Sequence, residues 1–315
     1  MKIAVSGCLL GQKVRFDAGH KRDDFIMDAL SNHAEYVSFC PEHLAYSSPR
    51  PSIRLVKDQD KPLEVRSNKT GENVAEALFE ASKKDLESIA LHNLGGIVFK
   101  SKSPSCGMGS AKIYQDNGYC EGKSDGIFVV MCKERFPLLP MEEEGRLCDP
   151  WLRENFVMQL FAYESFENFK LDADMNSLVN FHKQNKFMLQ SKDEALYRKL
   201  GKIVGNHEEN AFEEILGEYE FLYKTAIATK SSIGKTRNVL EHMSGFLKKH
   251  LDSEEKSMLH EQINDYAAQI TPLILPLSTL HLYAKKYNVR YLLEQVFLSP
   301  YPKELALRSD IKCVK

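Results

Sequence analysis

Three of the seven cysteines share a setting that suits metal binding. Cys8 lies in SGCLLG, Cys40 in FCPEH and Cys106 in SPSCGMG, and each follows a run of residues that predicts a β-strand. Structural zinc sites need a fourth ligand and usually contain Cys-x2-Cys pairs, which this sequence lacks. Three thiolates fit an iron–sulfur cluster with one open iron, which can act as a Lewis acid. The alternative is three unrelated buried cysteines.

The remaining cysteines lack this setting, and we assign them no role: Cys120, Cys132, Cys148 and Cys313. Cys132 ends the apolar run IFVVMC and is predicted to lie in the core.

Polar residues stand close to the cysteines along the chain. Glu42 comes two residues after Cys40, so we predict its carboxylate near the metal site as a general acid or base, although a surface glutamate is the alternative. Ser103 and Ser105 directly precede Cys106. Either hydroxyl could relay a proton or bind a reacting oxygen, and either could only stabilise the turn.

Two arginines are candidates for contact with the substrate. Arg15 follows the first cysteine, and Arg50 follows the second. Together with Ser105 they are predicted to line a substrate site, because guanidinium groups bind anionic and polar oxygens well. Solvated surface charge is the alternative for both arginines.

These residues need a scaffold that brings distant loops together. The first half alternates predicted strands and helices, which is typical of a Rossmann-like α/β domain with a parallel sheet. Strands are predicted over 2–6, 35–40 and 95–100, and helices over 23–33 and 70–92. Loops after parallel strands meet at one sheet edge. We therefore predict an α/β domain over residues 1–148 that gathers the three cysteines.

The second half, residues 149–315, predicts an all-α domain. Apolar residues recur with helical period over 151–169, 174–190, 193–204, 208–229, 235–250 and 254–270. Asp172, Asp193 and Ser253 are predicted to cap helices. The proline-punctuated segment 298–308 is predicted to fold onto another surface.

Composition excludes several classes of protein. The 315 residues are 43% hydrophobic and 27% charged, so a disordered or collagen-like chain is excluded. No apolar run approaches the ~18 residues that span a bilayer, and the N-terminus does not resemble a signal peptide, so we expect a cytoplasmic protein. The net charge of −2 excludes a strongly basic nucleic-acid binder but allows a local basic face.

Both halves resemble a known family. Similarity to the thiouracil desulfidase domain lies in SGCLLGQKVRFDAGHKR, in CPE followed by PRPSIRL, and in KSKSPSCG. The second half resembles the helical domain fused to it in bacterial tRNA 4-thiouridine desulfidases, through FHKQNKFMLQS, YRKLG, NVLEHMSGFLK and YPKELALR. The resemblance implies a 4Fe-4S cluster with three cysteine ligands and one open iron, held by Cys8, Cys40 and Cys106.

The resemblance also implies roles for two residues. Glu42 falls on the family's catalytic glutamate and Ser103 on the serine three residues before the last cysteine. The implied reaction is non-redox removal of sulfur from a thiolated pyrimidine, with Glu42 activating the attacking water. One departure is the segment 45–48, which reads Ala-Tyr-Ser-Ser where the family commonly has Gly-Leu-Pro, and which bears on substrate preference.

The helical half carries basic residues at helical spacing that could contact RNA phosphates. Our candidates are Arg198, Lys202, Lys248 and Lys249. The favoured hypothesis is a tRNA desulfidase that takes an extruded thiolated base into a pocket. Two alternatives stay open: a desulfidase for free thiouracil or a thionucleoside, and a cluster-bearing RNA-binding or regulatory protein without turnover. The sequence leaves the oligomeric state undetermined.

Overall fold

The structure is a computed structural model that describes residues 1–57, 63–206, 210–305 and 307–309. The chain divides into two compact units, Met1–Asp149 and Pro150–Lys315. The first unit combines strands and helices and the second is built of helices, which confirms the predicted fold class. Among the described residues, no helix has the length and apolar character that a membrane span requires.

A four-stranded parallel sheet forms the centre of the first unit. Its strands, in spatial order, are β2 (Glu35–Phe39), β1 (Lys2–Ser6), β5 (Leu94–Phe99) and β8 (Met141–Glu143). Every residue of β5 is buried, as expected of a central strand covered on both faces. The three predicted strands are confirmed, whereas β8 was not predicted.

The helices of the first unit partly match the predictions. They are α1 (Pro41–Tyr46), α2 (Ala75–Ala90), α3 (Ile127–Arg135) and α4 (Glu144–Leu147). The helix predicted over 70–92 is confirmed in its central part as α2.

The helix predicted over 23–33 is wrong, because the chain there forms a π-helical turn followed by a 3-10 turn. Two side chains explain this break in the helix. Ser31 Oγ donates to the Met27 carbonyl (2.6 Å), and Asn32 Nδ2 donates to the Asp28 carbonyl (3.1 Å). Such local bonds compete with the regular helical pattern.

A second, smaller sheet was not predicted. Its strands, in spatial order, are β4 (Glu64–Ser67), β3 (Ile53–Val56), β6 (Ala111–Tyr114) and β7 (Cys120–Ser124). The β3–β6 pair is parallel, and the two outer pairs are antiparallel. One face of this sheet packs its apolar side chains against Leu78 of α2.

The second unit is a bundle of helices around one apolar core. Its described helices are α5 (Pro150–Lys170), α6 (Met175–Lys192), α7 (Glu194–Gly205), α8 (Phe212–Ala228), α9 (Ile233–Leu247), α10 (Ser253–Ala267), α11 (Ile274–Lys286) and α12 (Arg290–Leu293). All six predicted segments contain a helix, whereas α11 and α12 were not predicted.

The helix caps correct two predictions. Asp193 caps α7 as predicted, by accepting from the Leu196 N–H (2.9 Å). The predicted caps Asp172 and Ser253 are wrong, because Asp174 and Asp252 cap α6 and α10. Each true cap forms a reciprocal capping box with the side chain three residues later, which satisfies one more free N–H than a lone cap does.

Tyr301 and Arg308, near the end of the described residues, fold back onto the same unit. Arg308 Nε donates to Glu154 Oε1 of α5 (2.8 Å), and Arg308 Nη1 donates to the Phe297 carbonyl (2.8 Å). Tyr301 donates its hydroxyl to the same Glu154 oxygen (3.0 Å). These bonds hold the segment predicted to fold onto another surface against the first helix of the bundle.

Candidate active site

Three parallel strands of the large sheet end at one cavity. Cys8 follows β1 in a 3-10 turn, Cys40 directly follows β2, and Cys106 lies in the loop after β5. All three line a cavity of about 390 Å³, together with Glu42. We call it the thiol cavity. Its volume lies within the usual range of small-molecule sites.

The loops at the cavity are fixed by neighbouring helices. Asp85 of α2 accepts from the Cys40 backbone N–H (3.0 Å), and burial raises the pKa of this carboxyl to about 6. The N-terminal turn of α3 donates the N–H groups of Ile127 and Phe128 to the carbonyls of Pro104 (3.2 Å) and Ser105 (3.0 Å). The backbone is therefore fixed at Cys40 and in the loop that carries Cys106.

Gly126 brings α3 close to the loop that carries Cys106. A Cβ atom at this position would overlap the carbonyl carbon and oxygen of Ser105. The Gly126 N–H also donates to the Gly107 carbonyl (2.7 Å), just beyond the cysteine. Glycine is therefore required for the close approach of helix and loop. Neither Gly126 nor Asp85 was singled out from the sequence, since their roles depend on contacts between distant segments.

The three thiols are poorly solvated. Cys8 and Cys106 are buried and Cys40 is half-buried. Burial raises the pKa of Cys8 to about 11, although the positive charges of Lys100 and Arg15 oppose the shift. Burial likewise raises the pKa of Cys40 to about 12 and that of Cys106 well above its ordinary value. Thiolates at these positions need a strong compensating positive charge, such as a metal centre supplies.

Cys8, Cys40 and Cys106 are all at the wall of the thiol cavity. Among the residues that the structure describes, no three His, Cys, Asp or Glu side chains converge closely enough to hold one metal ion. A polynuclear cluster is different, because each cysteine binds a separate metal atom at a corner of the cluster. Of the remaining cysteines, Cys132 is buried on α3, Cys120 and Cys148 are exposed, and Cys313 lies outside the described residues.

Glu42 lies on α1 and is held by hydrogen bonds on both carboxylate oxygens. Oε1 accepts from the hydroxyls of Ser103 (2.7 Å) and Ser105 (2.8 Å). Oε2 accepts from Nη2 of Arg50 (3.0 Å). The predicted catalytic pair Glu42 and Ser103 is therefore in direct contact, at the wall of the cavity that the cysteines line.

Ser103 also organises the cysteine loop. Its hydroxyl oxygen accepts from the backbone N–H groups of Ser105 (3.2 Å) and Cys106 (3.1 Å) while its proton goes to Glu42. The Ser105 hydroxyl lies 3.3 Å from Cys106 Sγ. The serines therefore connect the carboxylate of Glu42 to the third cysteine.

Arg50 is committed to protein oxygens. Its Nη1 group lies within hydrogen-bond distance of the carbonyls of Val14 and Ser47 (2.9 Å each) and of the Ser48 hydroxyl (2.8 Å). Its remaining terminal group donates to Glu42, and only 4% of the side chain is exposed. This geometry favours positioning of Glu42 over contact with a substrate.

The other predicted substrate contacts fall in both units. Arg15 and Ser105 line the thiol cavity, as does Lys100, which pairs with Glu144. We did not single out Lys100, although it begins the KSKSPSC motif. In the second unit, Arg198 and Lys202 are exposed one turn apart on α7, and Arg198 pairs with Glu194 (3.1 Å).

Lys248 and Lys249 are exposed at the end of α9. Their position places two adjacent ammonium groups at a helix C-terminus of the second unit.

Comparison with known proteins identifies the first unit. The family described as 2-thiouracil desulfurase matches residues 3–144. YbbK of Bacillus subtilis (strain 168), an uncharacterized protein, is 30% identical over 140 residues, which cover 42% of this chain and 89% of YbbK. The chain belongs to the 2-thiouracil desulfurase family. Membership of this desulfurase family confirms the predicted class of enzyme, a desulfidase.

A second family model, a second relative and one solved structure also match this desulfurase. A family described as a protein of unknown function, DUF1722, matches residues 186–302. YbgA of Escherichia coli (strain K12), also uncharacterized, is 24% identical over 157 residues, which cover 49% of this chain and 93% of YbgA. The solved structure of TudS, described as a 4Fe-4S-dependent thiouracil desulfidase, is 29% identical with a TM-score of 0.38, covering 47% of this chain and 93% of TudS.

Proposed function

We propose that this desulfurase removes sulfur from 4-thiouridine in tRNA, giving uridine and hydrogen sulfide without redox chemistry. Residues 1–148 form the catalytic domain in this proposal, and residues 149–315 form a helical tRNA-binding domain. One observation carries the chemistry: the hydrogen-bonded carboxylate of Glu42 and the thiols of Cys8, Cys40 and Cys106 line the same cavity. A tRNA substrate implies that the enzyme acts in the cytoplasm.

The donor set fits a 4Fe-4S cluster. The three thiols are the only cysteine side chains of the described residues that line the thiol cavity. Cys8, Cys40 and Cys106 would hold three irons of such a cluster and would leave the fourth without a protein ligand. When bound, such a cluster supplies a soft Lewis acid that suits the sulfur of a thiocarbonyl group.

Glu42 is placed to manage the proton of the reaction. Its oxygens are held by Ser103, Ser105 and Arg50, so the carboxylate has a fixed direction. It accepts a proton from water as the water oxygen bonds to the carbon that carries sulfur. The carbon–sulfur bond then breaks, a carbonyl oxygen stays on the base, and the sulfur leaves as sulfide and takes up protons as hydrogen sulfide. The net reaction consumes one water and needs no electrons.

RNA recognition rests on the helical domain. A stacked nucleotide cannot reach a pocket of this kind, so the thiolated base must leave the stack. The exposed pairs Arg198 with Lys202 and Lys248 with Lys249 are suited to phosphate contacts that keep the RNA bound while the base enters the thiol cavity.

The experiment that tests this proposal compares substrates. Protein reconstituted with iron and sulfide under anaerobic conditions is assayed for sulfide release from thiolated bulk tRNA and from free 4-thiouracil. We expect kcat/KM to be higher with tRNA and uridine to form in equal amount to sulfide. Turnover of the free base alone contradicts a tRNA substrate, and no turnover of either contradicts the desulfidase mechanism.

A further inference from the structure

A cavity lies within the helical unit, between α6, α7 and α9. Its volume is about 270 Å³, a size that suits a single ring system. We call it the helical pocket. Gln190 of α6 lines it, together with Asn238, His242 and the buried Val239 of α9. Among the described residues, none lines both the helical pocket and the thiol cavity, so the two are separate sites.

The charged groups of the helical pocket are of both signs and already have partners. Arg198 Nε donates to Glu194 Oε1 (3.1 Å), and both side chains line the pocket. Lys235, a third lining residue, donates Nζ to the Lys192 carbonyl (2.6 Å). A phosphate or carboxylate in the pocket would therefore meet the carboxylate of Glu194 as well as the two cations. This lining favours a polar ligand without net charge.

Two amide groups are available to such a ligand. Gln190 Oε1 is buried and has no hydrogen-bond partner within the described part of the chain, which costs free energy. The last torsion of a glutamine side chain is broad, so this amide can turn its oxygen towards a donor in the pocket. Asn238 is exposed on α9 and offers the same combination of acceptor and donor. Adjacent donors and acceptors are also what the edge of a nucleobase presents.

The face of α9 that lines the pocket continues along the helix as a stripe. Asn238, His242 and Phe246 follow one another at intervals of four residues and therefore share this face. Phe246 is 42% exposed, and its ring stacks on that of Tyr291, with 4.9 Å between the centroids. Lys249 follows just beyond the end of the helix. Exposed rings interleaved with cations are typical of surfaces that bind single-stranded nucleic acid, because the rings stack on bases and the cations contact phosphates.

We infer that the helical pocket binds one unstacked base of the RNA, other than the thiolated base, and that the ring of Phe246 stacks on a neighbouring base. The inference rests on the proposed function, because it takes RNA as the ligand. It adds recognition of bases to the phosphate contacts of the helical domain. A duplex keeps its bases stacked and paired, so the helical pocket selects loops and ends of an RNA over its double-stranded parts.

The test of the helical pocket uses the full chain and variants that change no charge. Gln190→Leu/Asn238→Ala removes both amides. The matched control is Gln262→Leu/Asn180→Ala, and neither of these residues lines the helical pocket. Gln262 Oε1 on α10 is likewise buried without a partner, and Asn180 is exposed on α6. The control therefore reproduces any effect of the substitutions on helix stability.

The test of the stripe is Phe246→Leu. Leucine keeps apolar contact with Phe187 beneath the ring but cannot stack on a base. The control is Phe221→Leu, at an exposed position of α8. The readout for all variants is the affinity for bulk tRNA, for a short single-stranded oligouridylate and for a blunt RNA duplex, each at several salt concentrations. These measurements do not require the cluster.

We expect each test variant to lose about tenfold or more in affinity for tRNA and for the oligouridylate, while its affinity for the duplex stays constant. The log–log salt slope should keep its wild-type value, because no phosphate contact is lost. Affinities that match those of the controls would overturn the inference. Equal losses for single-stranded and duplex RNA, or a lower salt slope, would assign these residues to the RNA backbone and would also overturn it.

Failure of this inference is distinguishable from failure of the proposed function. Sulfide release from thiolated tRNA by the wild type, together with unchanged RNA affinities in the variants, supports the proposed function and contradicts the inference. If the wild type binds tRNA but releases no sulfide from it, the proposed function is wrong, and the affinities of the variants still decide whether the helical pocket binds a base.

Discussion

The guanidinium of Arg50 and the carboxylate of Glu42 form an ion pair at the thiol cavity, with 3.0 Å between Nη2 and Oε2. Their side chains are only 4% and 15% exposed, so solvent screens the pair weakly. Arg50 is in turn fixed by the backbone at Val14 and Ser47. The direction of the proposed catalytic carboxylate is thus set by a residue that lies outside α1.

Replacement of Arg50 tests this positioning role. Arg50→Ala leaves Glu42 without its cationic partner, so the free energy of unfolding should fall by about 3 kcal/mol. We expect kcat to fall by at least about tenfold while KM changes little, because the carboxylate is misdirected while the pocket remains. Arg50→Lys should recover part of the stability and less of kcat. The control Arg22→Ala breaks an exposed, solvent-screened ion pair, so its free energy of unfolding should fall much less. Equal losses for both alanine variants would contradict the assignment.

Glu42→Gln separates catalysis from cluster assembly. Glutamine keeps the size of the side chain but cannot accept the proton from water, so we expect kcat to fall by about 10²-fold or more. Iron content and the visible spectrum should match the wild type. Ser103→Ala should lose less activity, because Ser105 still donates to the same oxygen. The exposed Glu35→Gln serves as control. Near-normal turnover in Glu42→Gln removes this residue from the mechanism.

Gly126→Ala tests the support of the third cysteine loop. The new methyl group would overlap the Ser105 carbonyl, so the loop must move and the free energy of unfolding should fall by about 1–3 kcal/mol. We expect lower iron content, because Cys106 directly follows Ser105 and would move with it. Gly122→Ala on β7 is the matched control, because a Cβ there meets no atom within 4 Å. Similar iron content in the two variants would show that the loop tolerates displacement.

Charge removal on the helical unit tests its proposed role in tRNA binding. The double variants Arg198→Gln/Lys202→Gln and Lys248→Gln/Lys249→Gln should weaken tRNA binding, and each lost contact should reduce the log–log salt slope by about 0.7–0.9. Iron content should stay at the wild-type level, because the proposed ligands lie in the first unit. Affinity and slope that match the wild type in both variants would mean that these side chains are ordinary solvated helix surface.

The sequence predicted three of the four strands of the large sheet, because 2–6, 35–40 and 95–100 are short runs rich in apolar residues that stand next to turn residues. The ends of these strands therefore placed three cysteines and Glu42 at one predicted sheet edge. The small sheet was missed because its strands are four or five residues long and carry charges, as in IRLV, EVRS and CEGKS. Such segments become strands only when neighbours pair with them.

Contacts between distant segments account for the remaining differences. Arg50 was a candidate for substrate contact on its residue type, whereas its geometry depends on Val14 and Ser47. The caps at Asp174 and Asp252 depend on the residue three positions later, and both boxes were present in the sequence as Asp-x-x-Ser and Asp-x-x-Glu. This reciprocal pattern would have corrected both predictions.

Cysteine replacement tests the assignment of the cluster ligands. Anaerobically reconstituted wild-type protein should bind about four irons, as a 4Fe-4S cluster requires. Cys8→Ala, Cys40→Ala and Cys106→Ala should each lower the iron content, whereas Cys120→Ala and Cys148→Ala, at exposed positions, should retain it. Loss of iron in Cys120→Ala with full iron in Cys8→Ala would show that the ligands are wrongly assigned.

The most direct test of the whole account is sulfide release from thiolated tRNA by the reconstituted wild type, without any reductant, beside Cys106→Ala and Glu42→Gln. The account predicts one sulfide for each uridine formed by the wild type, no turnover by Cys106→Ala, and loss of turnover at full iron content in Glu42→Gln. Sulfide release that requires a reductant, or that persists in Cys106→Ala, would contradict it.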